Sequence, residues 1–402
     1  MTTRIVILGS TGSIGRQTLE VVDHLNALQK RGVFASGFEV VGLAAGKDGK
    51  LLAEQASRFG VRALALSGGG PDASKGVFTG PDAAERLVRE VECDVVLAAI
   101  VGSAGLPATL AAVELGRDVA LANKETLVAA GSLVVPAAHR TGAKLLPVDS
   151  EHAAVWQCLR AAPEGASLIP ALRAFPASVK KITLTASGGP FRTWEKSRIA
   201  AATRAEALKH PTWSMGEKVT VDSASLMNKA LELIEAHWLF AIPAEKLEAV
   251  VHPQSIAHAL VEFQDSSVVA QLACPDMRGP IQQALSFPQR APSLVKPLDL
   301  CEASPVLQFE PPDLSRFPLL GLAGRVIEAG GTSGATFNAA NEEAVYAFLR
   351  SEIAFGRIAE LVVDAMDVIA PSTLSSLDDA LEADRRARLH VRESLRRSTV
   401  SA

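Results

Sequence analysis

Three acids carry the strongest chemical signal in this sequence. Asp149 and Glu151 stand two apart in Pro147-Val148-Asp149-Ser150-Glu151-His152, so on an extended backbone their carboxylates point to one side. The third, Glu232, lies in a helical stretch from Ala224 to Trp238. At about 100° per residue, Ser225, Asn228, Lys229 and Glu232 fall in one narrow stripe. Leu226, Met227, Ala230, Leu231, Leu233, Ile234 and Trp238 take much of the remaining circumference. Such a helix either lines a wet cavity from within a core or carries an ordinary solvent stripe, and the wide apolar arc favours the cavity. Convergence of the three carboxylates requires a cation, because like charges raise one another's pKa. An oxygen-only site of this kind suits Mg²⁺ or Mn²⁺, with positions left open for substrate oxygens.

A second signal is Gly9-Ser10-Thr11-Gly12-Ser13-Ile14-Gly15, set between the apolar run Arg4–Leu8 and a helix-spaced stretch with Leu19, Val22, Leu25 and Leu28. Strand, glycine-rich turn and helix together form a pyrophosphate cradle, with free N–H groups and a positive dipole end. The spacing is G-x-x-G-x-x-G rather than G-x-G-x-x-G, and a turn without ligand is the competing reading. After the next strand, Phe38 to Ala44, an NAD enzyme usually places an acid on the ribose. Here stands Gly46-Lys47-Asp48. Lys47 suits a 2′-phosphate and favours NADP(H), the alternative being a solvated turn lysine. The segment from Ser187-Gly188-Gly189 to His210-Pro211-Thr212-Trp213-Ser214-Met215-Gly216 reads either as a loop closing over ligand or as a static surface loop. His252 and His258 read as packing or hydrogen-bonding residues.

These side chains must be placed by the elements around them. Short apolar strands at 62–66, 94–99, 118–122 and 144–148 alternate with helical stretches. That alternation predicts a doubly wound, mostly parallel sheet with ligands beyond the strand C-termini, where Asn123-Lys124-Glu125 and Asp149-Ser150-Glu151 fall. The expected organisation is a Rossmann-type nucleotide domain over 1–149, a central α+β catalytic domain over 150–286, a Pro-punctuated connector over 287–317 and a helical domain over 318–402. Stretches 163–176 and Gly68-Gly69-Gly70-Pro71 read as surface connections.

With 402 residues, 48% of them hydrophobic, the chain can bury several cores and is not a disordered protein. A balance of 40 basic against 44 acidic residues argues against a general nucleic-acid binder. No apolar run approaches the roughly 18–20 residues of a membrane span, and the N-terminal residues lack signal-peptide character. Cys93, Cys158, Cys274 and Cys301 are widely spaced with no C-x-x-C pair, as expected of free thiols in a reducing cytoplasm.

Gly9–Gly15, Leu121-Ala122-Asn123-Lys124-Glu125, Pro147–His152, Ser187-Gly188-Gly189-Pro190-Phe191, His210–Gly216, Asp222-Ser223-Ala224 with Met227-Asn228-Lys229, and His252-Pro253-Gln254-Ser255 occur in one order. In this the chain resembles the 1-deoxy-D-xylulose 5-phosphate reductoisomerases, and the resemblance extends through Thr336-Phe337-Asn338-Ala339-Ala340-Asn341-Glu342-Glu343. The resemblance implies an NADPH- and Mn²⁺- or Mg²⁺-dependent rearrangement and reduction in non-mevalonate isoprenoid synthesis, by a homodimer joined through its central domain. It further implies that Asp149, Glu151 and Glu232 hold the metal and that Lys124 and Glu151 manage protons, with acid and base unassigned. Ser150 then lies near the reacting oxygens. Ser187, His210, Ser223, Asn228 and Lys229 match the substrate pocket, chiefly for its phosphate. Thr11, Gly12, Ser13, Ile14, Gly46, Lys47, Asp48, Asn123, Glu125 and Gly216 match NADPH contacts. Asp48 replaces the Asn common in the family, and its charge works against a 2′-phosphate. A short-chain dehydrogenase would need Tyr-x-x-x-Lys, but the single tyrosine, Tyr346, is followed by Arg350. A non-catalytic NADPH-binding regulator would not require the three acids.

Overall fold

The computed structural model describes residues 2–68, 77–165, 168–301 and 306–400. Residues 69–71 of the glycine-rich connection, and 166–167 of the 163–176 connection, lie outside them. The first unit comprises β1 (Thr2–Leu8), α1 (Ser13–Lys30), β2 (Gly37–Ala45), α2 (Gly49–Phe59), β3 (Ala63–Leu66), β4 (Val77–Thr79), α3 (Ala83–Glu90), β5 (Val95–Ala98), α4 (Leu106–Glu114), β6 (Asp118–Leu121), α5 (Lys124–Thr141) and β7 (Leu145–Pro147). Its seven strands run in the order β4-β3-β2-β1-β5-β6-β7, and every pairing is parallel. Ile5, Val6, Ile7 and Leu8 are fully buried, which is why the strand is a continuous apolar run rather than an alternating one. The chain passes from β1 to β2 on one side while β5 flanks β1 on the other. The switch point therefore opens above the C-terminal end of β1, where the Gly9 turn begins.

The second unit comprises α6 (Ser150–Leu159), β8 (Val179–Ala186), α7 (Lys196–Ala200), α8 (Arg204–Ala207), α9 (Glu217–Ala224), α10 (Met227–Phe240), β9 (Leu247–Val251), β10 (Ala257–Phe263), β11 (Val268–Leu272) and α11 (Arg278–Ser286). The mixed sheet has the order β11-β10-β8-β9. Here β10 runs antiparallel to both β8 and β11, and β8 is parallel to β9. The helix expected from Ala224 is two helices. Leu226 adopts the left-handed conformation at φ 56°, and α10 starts only at Met227. Ser225 belongs to the end of α9, where its hydroxyl donates to the Asp222 carbonyl. It is therefore not on the polar stripe of α10.

Between Ser286 and Pro318 the described residues form no helix or named strand, apart from one bridge pairing Glu310 with Val251. The third unit is α12 (Leu322–Ala329), α13 (Ser333–Leu349), α14 (Gly356–Val368) and α15 (Leu377–Val400). Almost all of α13 is buried, because it packs on α5 and α9 as well as on α12, α14 and α15.

Candidate active site

A cavity of about 740 Å³ runs from the Gly12–Ile14 turn to the three acids. The turn shows why glycine is needed. Gly9 has φ +80°, and a Cβ there would lie 2.5 Å from the Ala99 carbonyl oxygen. A Cβ on Gly15 would sit 2.3 Å from the Gly9 oxygen, so only glycine lets α1 pack this close to the turn. No side chain caps α1 at Gly12, which leaves its first amides and the positive dipole end for an anionic ligand. This chemistry fits a nucleotide pyrophosphate.

Gly12, Ser13, Ile14, Asn123, Lys124, Glu125 and Gly216 all line the cavity, whereas Thr11, Gly46, Lys47 and Asp48 do not. The last three are exposed, at the end of β2. Asp48 is the N-cap of α2, its carboxylate accepting the Leu51 amide at 3.0 Å. Asn123 caps α5 through the Thr126 amide at 2.9 Å and donates to the carbonyls of Ile100 and Gly102. Both Glu125 oxygens are engaged, one by Lys218 Nζ at 2.8 Å and the other by Asn123 Nδ2 at 3.3 Å.

The three acids converge, although for a different local reason than an extended strand. Asp149 is the N-cap of α6 and Glu151 lies in its first turn, so the positive end of that helix helps hold two negative groups together. Oxygens of Asp149, Glu151 and Glu232 lie within 4.8 Å of one another. Two ammonium groups compensate them. Lys124 Nζ lies 2.5 Å from Asp149 and 2.8 Å from Glu232, and Lys229 Nζ lies 2.6 Å from Glu151 and also contacts Glu232. Asn228 bridges the two groups, accepting from Lys124 at 3.0 Å and donating to Glu232. Ser150 donates to Glu151 at 2.6 Å. Burial pushes the Glu151 carboxyl up, but Lys229 and Ser150 override it and hold it at about 2. Burial raises Asp149 to about 6 against the pull of Lys124. A hard oxygen donor set that already draws in two cations fits a divalent metal.

Behind it lies a second group missed by sequence reasoning. His152 and Glu235 are fully buried, 3.3 Å apart, and oxygens or nitrogens of Asp149, His152 and Glu235 also lie within 4.8 Å. His152 Nε2 is tied to the Glu232 carbonyl. Neither His152 nor Glu235 lines the cavity, so only the Asp149–Glu151–Glu232 face offers open positions to substrate. Burial holds the Glu235 carboxyl well above the usual range and His152 down at about 4.

Ser187, His210 and Ser223 form a separate polar corner. His210 Nδ1 accepts the amides of Thr212 and Trp213 at 3.1 and 2.8 Å. The ring is therefore the Nε2–H tautomer, and Nε2 lies 3.0 Å from Ser187 Oγ and 3.1 Å from Ser223 Oγ. The segment from Ser187 to Gly216 is not one loop, since α7 and α8 interrupt it. Nor is Gly188-Gly189 a loose hinge. Both have positive φ, and a Cβ on Gly189 would meet the Ser223 carbonyl at 2.6 Å. The irregular part is 209–216, where Trp213 sits over His258 with ring centroids 6.4 Å apart. His252 is structural, with Nε2 accepting the amides of Ile256 and Ala257.

Comparison with known proteins gives one consistent answer. The family model for 1-deoxy-D-xylulose 5-phosphate reductoisomerase matches residues 5–131. Models for two C-terminal domains of that family match 145–240 and 272–390. The chain is 47% identical to the 1-deoxy-D-xylulose 5-phosphate reductoisomerase of Gloeobacter violaceus, covering 98% of each. It is 49% identical to that of Symbiobacterium thermophilum, covering 97% of this chain and 98% of the relative. Among solved structures, the Zymomonas mobilis reductoisomerase in complex with NADPH matches with a TM-score of 0.83 at 39% identity, covering 98% of this chain and 99% of that one. A reductoisomerase in complex with NADPH, fosmidomycin and magnesium matches with a TM-score of 0.87 at 35% identity, covering 98% of each.

Proposed function

The chain belongs to the 1-deoxy-D-xylulose 5-phosphate reductoisomerase family, and we propose which of its side chains carry the family's reaction. It is an enzyme that rearranges and reduces 1-deoxy-D-xylulose 5-phosphate to 2-C-methyl-D-erythritol 4-phosphate with NADPH and a divalent metal. One observation supports the assignment most. The Asp149, Glu151 and Glu232 oxygens lie within 4.8 Å of one another, in the same cavity as the uncapped start of α1 and the Ser187–His210–Ser223 corner.

In this reading Asp149, Glu151 and Glu232 hold the metal, and Gly12, Ser13, Ile14, Asn123 and Gly216 border NADPH, with Thr11, Gly46, Lys47 and Asp48 toward its adenine side. When bound, the metal supplies Lewis-acid polarisation of substrate oxygens and NADPH supplies hydride. Ser187, Ser223 and the His210 Nε2–H offer neutral donors to the substrate phosphate, and Lys229 and Asn228, which line the same cavity, add an ammonium and an amide. Lys124 keeps its proton. Burial opposes the charge, but Asp149 and Glu232 outweigh it and hold the ammonium well above its ordinary range. Lys124 thus stays a cationic hydrogen-bond donor beside a reacting oxygen, and Glu151 stays a carboxylate that accepts. Ser150 fixes the Glu151 oxygen. Glu125 acts by holding Asn123.

The reading extends to domains at 1–149, 150–286 and 318–402, joined by a connector at 287–317. It also includes a homodimer formed through the central domain, supported by the open edge of β11. The reading also includes a cytoplasmic location and a phosphorylated sugar as substrate; among the described residues no helix is long and apolar enough to cross a membrane. Purified protein given the sugar phosphate, NADPH and Mn²⁺ should deplete the nicotinamide absorbance. No depletion, or depletion unaffected by removing Mn²⁺ with a chelator, would overturn the assignment.

A further inference from the structure

We infer that Glu342 of α13 is a positioning residue for NADPH, which makes the helical C-terminal unit part of the cofactor cleft. The run Thr336–Glu343 has no place in the metal or phosphate groups, yet Asn338, Asn341 and Glu342 are buried in the middle of α13. Spacings of three and four put Asn338, Asn341 and Glu342 on one face. Glu342 Oε1 accepts the backbone amide of Ser103 at 3.1 Å and Asn338 Nδ2 at 2.9 Å. Its Oε2 accepts Arg388 Nη2 from α15 at 2.6 Å, and the same nitrogen lies 3.1 Å from Ser103 Oγ. Asp384 holds Arg388 in place through bonds of 2.6 and 2.9 Å.

Ser103 opens a short 3₁₀ turn just after Ala99, Ile100 and Val101, which line the cavity. From the nucleotide-binding side Asn123 grips the carbonyls of Ile100 and Gly102. From the helical side Glu342 grips the next amide along. The wall strip is thus clamped from two units of the protein, and it abuts the Gly9 turn, since a Cβ on Gly9 would meet the Ala99 carbonyl. Gly102 takes φ +78°, and a Cβ there would lie 2.6 Å from Glu342 Oε1. Glycine is the residue that lets the carboxylate approach this close. A charged acceptor on a backbone amide is among the stronger hydrogen bonds, so losing it should release the strip.

The inference rests on the NADPH reading of the cleft. Its test is a fluorescence titration of NADPH, without metal or substrate, on the full chain. Glu342→Gln keeps the shape and removes the charge, and should weaken NADPH by roughly tenfold, the scale of one charge-assisted hydrogen bond. The KM for NADPH should rise with it, while kcat and the KM for the sugar phosphate change by less than about twofold. Arg388→Gln removes the cation that holds Glu342 Oε2 and should give a loss in the same direction. It decides the question if Glu342→Gln does not fold. Asp364→Asn breaks the bond to His390 elsewhere in the helical unit and should leave NADPH affinity unchanged. Wild-type affinity in a folded Glu342→Gln, or in Arg388→Gln, or an equal loss in Asp364→Asn, overturns the inference. A wild-type protein that did not bind NADPH would overturn the reading of the cleft, and this inference with it.

Discussion

Lys124 Nζ lies 2.8 Å from Glu232 Oε1, and both side chains are almost wholly withdrawn from water. With Lys229 on the other Glu232 oxygen, two ammonium groups occupy the space where a cation belongs among three carboxylates. If the three acids hold the divalent ion as proposed, it would compete with both ammonium groups for the Glu232 oxygens.

Glu232→Gln should therefore weaken the metal site and the reaction together. It removes the charge shared by both lysines, and losing one electrostatic stabiliser commonly costs on the order of 10²–10³ in rate. Mn²⁺ binding followed by paramagnetic resonance, alongside turnover at limiting Mn²⁺, checks this. Near wild-type values in both would sink the assignment of Glu232 as a ligand.

At the proposed adenine end, the Asp48 carboxylate is directed at the Leu51 amide. Asp48→Asn preserves a good cap while deleting a negative charge one residue from Lys47. NADPH should bind more tightly with little change in stability. Lys47→Ala should narrow the NADPH-over-NADH ratio and flatten the salt dependence of NADPH binding. An unchanged ratio would place recognition of the 2′-phosphate elsewhere.

Much of this arrangement was legible in the residues, and its gaps have physical causes. Ile5–Leu8 and the Gly9–Gly15 turn declare a buried parallel strand and its phosphate end, because burial on both faces and steric need for glycine are local properties. The three acids were legible as a group. An extended backbone is not what brings Asp149 and Glu151 together: α6 begins between them and its N-terminus does the gathering. Leu226 broke the expected helix because a left-handed leucine is imposed by tertiary packing, which periodicity does not encode. Asp222, Asn341 and Glu342 stand in the family motifs, yet neither their role nor that of Lys218 is readable there, because the partners Glu125, Asn341 and Ser103 lie 93 to 239 residues away in sequence.

That hidden network should matter for stability. Lys218 Nζ sits 2.8 Å from Glu125 and 2.9 Å from Asp222, all three buried, and Asn341 completes Asp222 at 2.9 Å. Lys218→Met leaves two buried carboxylates facing each other without a cation. Removing one partner of a buried pair costs about 3–5 kcal/mol. Urea unfolding of the two proteins measures it, and a loss below about 1 kcal/mol, the range of exposed pairs, would contradict the reading.

His210 supplies the pH dependence. Burial lowers its pKa from the ordinary 6.5 to about 4, so the folded protein takes up this proton less readily than the unfolded chain. The contribution of the neutral ring is fully present above pH 6.5 and erodes as pH falls from there toward 4. Protonating Nδ1 would also place an N–H against the amides of Thr212 and Trp213, which now donate to it. The ring signal of His210 in a nuclear magnetic resonance titration should have its midpoint near 4. A midpoint at the ordinary value would mean that the ring is solvated and the corner open.

The same residue ties down the cover of the cavity. Residues 209–216 carry no helix or strand, and Thr212 and Trp213 reach His210 through their own backbone amides. Trp213 is partly exposed over His258, a broad apolar surface beside the acids. Gly188 sits against Arg192 and Val251 and Gly189 against Ser223 and Ala224, so motion at the Ser187 end is restricted and belongs instead to 209–216. A substrate phosphate that took the His210 Nε2–H and the Ser187 and Ser223 hydroxyls would pull this stretch inward. Binding energy remote from the reacting carbons would then exclude water where hydride is delivered. Amide hydrogen exchange should be fast across 209–216 in the free enzyme and slow with substrate analogue, metal and NADPH bound. An analogue lacking the phosphate should slow it less, and 187–192 should change little in either case. Equal protection of 209–216 in every state would identify a rigid loop, with Trp213 only a packing residue.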